Sequence, residues 1–68
     1  MNGPFTVVFQ TALGLVERVI VFANNSEEAV KVFLYQYEYP CDILDVYLDH
    51  DLYFYYVTRG VLPDGYSV

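Results

Sequence analysis

The stretch DVYLDHDLYFYYV, residues 45–57, gathers the side chains from which chemistry is most often built. Asp45, Asp49, His50 and Asp51 stand among Tyr47, Tyr53, Tyr55 and Tyr56. Carboxylates and an imidazole are suitable metal ligands. On one strand, however, Asp45 and Asp49 lie about 13 Å apart at ~3.3 Å per residue, too far to share an ion. Asp49, His50 and Asp51 are consecutive, so a turn brings at most two of them together. The glycine and terminal glutamate of an EF-hand loop are missing. There is no second histidine and no cysteine pair for zinc. The trio reads as a solvated turn capped by aspartate, with no metal and no cofactor.

A catalytic reading would pair His50, as general base, with a nucleophile and an oxyanion pocket. The one thiol is Cys41, which follows Pro40 at the start of a predicted strand. A lone cysteine there reads as a small packed residue. Gly3, Gly14, Gly60 and Gly65 are isolated, so no phosphate-cradling loop exists. The chain is not expected to be an enzyme.

The tyrosines invite a third reading, as platforms for bases. Such sheets pair their aromatics with a basic groove. Here the neighbours are acids, and the net charge is −6, which disfavours direct contact with nucleic acid. An anionic membrane surface is disfavoured for the same reason. Tyrosine supplies large contact area with few torsions and a hydroxyl that stays wet. Flanking acids steer a basic partner inward. Asp45, Tyr47, Asp49, Asp51, Tyr53 and Tyr55 are therefore the candidate partner-binding residues. The partner is expected to be a basic protein, including proteins that themselves bind nucleic acid.

The elements that must position these residues follow from the rest of the chain. At 68 residues it is one domain. A domain of this size buries only about 60% of its unfolded surface. With Cys41 alone, no internal disulfide can help. Hydrophobic residues make up 56% of the chain, more than so small a core easily hides. A shared face is expected, either with a partner or in a homodimer. The start MNGPFTVVFQ lacks the basic n-region and apolar run of a signal peptide. No apolar stretch reaches the ~18–20 residues of a membrane span. A single free cysteine fits a reducing cytoplasm.

FTVVFQ, residues 5–10, is β-branched and aromatic and predicts a strand. TALG then supplies a hairpin turn, with Gly14 free to take positive φ. LVERVIVFA returns as a second strand. Asn25 or Ser26 can cap a helix whose first turn carries Glu27 and Glu28, where the dipole favours acids. Ala29, Val30, Phe33, Leu34 and Tyr37 share one face of it. Pro40 stops this helix before or near Tyr39.

DILDVYLD alternates, with Leu44, Val46 and Leu48 in one row and Ile43, Asp45, Tyr47 and Asp49 in the other. LYFYYVT, residues 52–58, is predicted as a last strand, and residues 61–68 as a loop or tail. The order is β-β-α-β-β. It implies an α+β fold in which one amphipathic helix covers one face of a three- or four-stranded, mainly antiparallel sheet. The opposite face would carry Val16, Ile20 and Phe22 with Ile43, Tyr47, Tyr53 and Tyr55. Glu17 and Arg18 read as exposed strand charges that discourage edge pairing.

ERVIVFANNSEEAVKVFLYQY, residues 17–37, followed by DILDVYL, resembles the β-β-α-β unit of small bacteriophage accessory proteins, among them anti-CRISPR proteins. The resemblance implies a non-enzymatic inhibitor that occludes the nucleic-acid site of a host protein. It carries over no individual site residue. The alternative is a homodimeric structural or assembly protein that pairs the same tyrosine-rich face.

Overall fold

The computed structural model describes residues 2–59 of the chain, with the side chains of residues 56 and 57 excepted. The expected loop or tail at 61–68 lies outside the described residues. Five elements follow in order: β1 Gly3–Thr11, β2 Val16–Ala23, α1 Ser26–Gln36, β3 Cys41–Leu48 and α2 His50–Arg59. The three strands form an antiparallel sheet in the order β2-β1-β3. One main helix, α1, packs on it, and the α+β class expected from the sequence holds.

β1 is β-branched and aromatic and lies at the centre, paired with Val16–Ala23 on one side and Cys41–Leu48 on the other. Gly14, at φ 85°, closes the β1–β2 hairpin. There the Gly14 amide donates to the Thr11 carbonyl at 2.9 Å, and the Thr11 amide to the Leu15 carbonyl at 2.8 Å. A side chain at that φ is strained, which is why glycine is chosen.

α1 begins where the amides need partners. Asn25 is extended, and its side-chain oxygen accepts from the Glu28 amide at 2.8 Å. Glu28 in turn accepts from the Asn24 amide at 3.1 Å. This reciprocal pairing is a capping box shifted by one residue. The helix ends at Gln36, and Tyr37 is already extended while its amide donates to the Phe33 carbonyl at 2.8 Å. Ala29 and Phe33 are buried, and Val32 packs beside them. Leu34, expected on the inner face, is 51% exposed. The helix has rolled so that Val32, rather than Leu34, flanks the Ala29–Phe33 stripe.

β3 departs from its simple alternation. Val8 pairs with Asp45 but Phe9 pairs with Ile43, so Leu44 is an extra residue in a β-bulge. The bulge flips the parity of everything before it. Ile43 joins Val46, Leu48 and Cys41 against the core, and Leu44 is turned out. The expected row of Leu44, Val46 and Leu48 is thus broken, and Ile43 leaves the outer face. The Val46 amide beside the bulge donates to the Asp45 carboxylate at 2.9 Å.

The larger correction concerns residues 52–58, which are helix and not strand. Asp49 alone links β3 to α2. Its side chain accepts from the Leu52 amide at 3.0 Å, its carbonyl accepts from Tyr53, and its own amide donates to Pro4 at 2.9 Å. Asp51 in the first turn and Arg59 in the last complement the helix dipole. The aspartate expected to cap a wet turn caps a helix instead. Strand propensity of aromatics reflects packing on a half-buried sheet, and no sheet edge receives this segment.

Each cap is worth about 1 kcal/mol. Asn25→Ala and Asp49→Ala should each lower the unfolding free energy by roughly that amount in urea titrations. Asp49→Ala should also reduce the far-ultraviolet helical signal, a loss a strand at 52–58 would not produce.

Candidate functional site

The six candidate residues do not share one surface. Asp45 and Tyr47 lie on the sheet face opposite α1, flanking β1 across from Val8 and Thr6. On β2, Arg18 and Ile20 face the same two residues of β1. This outer face is apolar at its middle, with Ile20, Leu44 and Tyr47 each 40–51% exposed.

Asp49, Asp51 and Tyr55 come together at the other end, where with Leu52 they line an open hollow of about 420 Å³. Arg59, one turn further along α2, sits over the Tyr55 ring at 4.5 Å from its centroid. Tyr53 turns away from both groups. It packs where a Cβ on Gly3 would come within 2.9 Å of its ring and 3.1 Å of Leu48, so the glycine is what lets α2 approach the sheet end. Ile43, once grouped with these tyrosines, is on the core side.

Cys41 and His50 stand at opposite ends of β3, separated by about 20 Å of extended chain. Among the described residues no three of His, Cys, Asp and Glu cluster closely enough to hold a metal ion. No helix among them is long and apolar enough to cross a membrane.

A second site escaped the sequence reading. At the hairpin end of the sheet, Thr11, Ala12, Leu13, Leu15 and Glu17 face Tyr37, Tyr39 and Pro40 across a groove of about 320 Å³. Its floor is tied to the core by rings. Phe9 lies 4.7 Å from Phe33 and 4.9 Å from Tyr37, and Phe33 stacks on Tyr37 at 5.2 Å. Tyr39 meets Tyr37 edge-on at 5.7 Å and 71°, so two phenol rings make a corner. Leu13 is 88% exposed and Tyr39 71% exposed at the rim.

Glu17 occupies the core-facing parity of β2, opposite Phe9, but beyond the cover of α1. It makes no ion pair among the described residues. The available signals were two leucines in a turn and a charge in a core-facing row. Each is ambiguous until the 37–40 connection is placed beside them.

Burial raises the Tyr37 hydroxyl above its ordinary pKa, and the nearby Cys41, Glu17 and Tyr39 add to the shift. A tyrosine raised in the folded state holds its proton longer than in the unfolded chain. Stability linked to Tyr37 is therefore complete below about pH 10 and falls as pH climbs through the folded pKa. Tyrosinate absorbance should show a late-titrating component that Tyr37→Phe removes, and Glu17→Gln should bring that component to lower pH.

In comparison with known proteins, no family model, no curated protein and no solved structure matches this chain.

Proposed function

We propose that this chain is a non-enzymatic binding module that covers a basic surface of another protein. One observation carries the reading. Between Lys31 and Arg59 the chain holds Glu38, Asp42, Asp45, Asp49 and Asp51 and neither lysine nor arginine. That run follows the edge strand β3 into the first turn of α2. Acids laid along an edge repel other edges and attract cationic surfaces. A basic surface that ordinarily holds nucleic acid is the natural counterpart, because its charges already match a row of phosphates. The resemblance of this β-β-α-β order to small phage inhibitors implies the same mode of action, and occlusion of such a site in a host cytoplasm is the form proposed here.

A homodimer is the second reading, favoured by the outer sheet face, where Val16 is 58% exposed and Leu44 51%. A molar mass that doubles with concentration in light scattering supports it, as does a melting temperature that rises with concentration.

For the first reading the test is capture from a nuclease-treated bacterial lysate. The immobilised chain is compared with a variant carrying Asp42→Asn, Asp45→Asn and Asp51→Asn. These side chains are exposed, and asparagine keeps the acceptor at Asp45. The wild type should retain basic nucleic-acid-binding proteins, and added DNA should displace them. The variant should retain roughly tenfold less, and the wild-type signal should fade with salt. Equal retention by both chains overturns the proposal.

A further inference from the structure

The groove at the hairpin end has the chemistry of a receptor for one kind of side chain. Its walls are apolar at Ala12, Leu13 and Leu15, its corner is the Tyr37–Tyr39 pair, and its one charge is the Glu17 carboxylate. A purely apolar occupant would leave that carboxylate beside apolar surface without a counter-charge, a costly arrangement. An anion would be repelled by it. A cation would be met by the carboxylate and by two aromatic rings.

We propose that this groove receives a single arginine side chain from the binding partner, an inference that rests on the reading of that partner as basic. Arginine fits better than lysine for a geometric reason. Its planar guanidinium stacks on a ring while its fork of N–H donors pairs with a carboxylate, and an ammonium does neither as well. Its aliphatic stem would lie along Leu13 and Leu15. The chain already uses half of this pairing internally, where Arg59 lies over Tyr55. The stack of Tyr37 on Phe33 and its tilted contact with Phe9 hold the corner in place before the partner arrives, so little ordering is required on binding. The groove adjoins the Glu38 end of the acidic run, whereas Asp49 and Asp51 lie beyond the far end of β3, so the partner would be gripped at both ends of that run.

Nuclear magnetic resonance titration of the full chain with butylguanidinium, butylammonium and the neutral near-isostere butylurea tests this. Butylguanidinium should shift the amides of Leu13, Leu15, Glu17 and Tyr39. It should bind about tenfold more tightly than butylurea, and more tightly than butylammonium. Glu17→Gln should abolish the advantage over butylurea, and Tyr39→Ala should weaken butylguanidinium binding while the amide spectrum elsewhere stays folded.

Equal affinity for butylurea overturns the inference, since the groove would then be merely apolar. Equal affinity for butylammonium overturns the choice of arginine. Shifts confined to the amides around Asp45 and Asp51 overturn it too. The variant with Asp42, Asp45 and Asp51 replaced leaves the groove intact and separates the two proposals. A groove that fails while lysate capture still depends on those aspartates refutes this inference alone. A groove that selects butylguanidinium while capture ignores the aspartates refutes the proposed partner surface instead.

Discussion

Everything in this fold is arranged around β1. Its residues Gly3 to Val7 are all buried, and it forms both ladders of the sheet. A strand buried on both faces must find partners for its amides and carbonyls within the protein, because water cannot reach them. That demand sets the positions of β2 and β3. Phe5, Val7 and Phe9 then offer one apolar row, on which α1 lies through Ala29 and Phe33. The carbonyl of Pro4 also receives the Asp49 amide, so the central strand anchors the start of α2.

The core does not stop at the edge of the sheet. The ring sequence Phe33, Phe9, Tyr37 and Tyr39 runs from fully buried to mostly exposed within contact distance at every step. Such offset and edge-on contacts add specific geometry to ordinary apolar burial. A core this small has few side chains to spare, and Tyr37 serves it twice. One face of its environment closes the core under the helix end, and the other forms the groove wall. Rigidity at the groove is therefore inherited from packing, with no loop having to order itself.

Charge is distributed to match. Among the described residues Glu17 is the one acid in a core-facing row, and the others lie on helix starts, in the 37–40 connection, on the β3 edge and on the outer face. At Glu27, Glu28 and Asp51 they also complement helix dipoles, so stability and surface charge are served by the same residues. The apolar surplus of the composition appears on the outer sheet face, at the hairpin tip and on the open sides of both helices, where Tyr35 is 90% and Phe54 71% exposed. On the outer sheet face Pro4 and Thr6 of β1 are nonetheless buried, and α2 seats Tyr53 at the end of the sheet beside Gly3.

The sequence by itself determined the parts whose signals are local. The hairpin follows from β-branched runs around Gly14, the first helix from Asn25 with Glu27 and Glu28, and the acidic α+β character from composition and order. Tertiary structure decided the rest. Residues 52–58 are aromatic or aliphatic at every position but the last, so neither a two-residue nor a 3.6-residue period can be read from them, and the aspartate cap with a docking point on Gly3 tips them to helix. The bulge at Leu44 exists because Ile43 and Val46 are both needed against Phe9 and Val7, a requirement visible only once β3 is paired. For the same reason half of the candidate site was legible and half was not. Asp45 and Tyr47 stay where strand alternation puts them, whereas Tyr53 and Tyr55 follow the helix, and the groove joins residues 11–17 to 37–40, which meet only when the sheet closes. Local propensity is a property of neighbours in sequence, and a site is a property of neighbours in space.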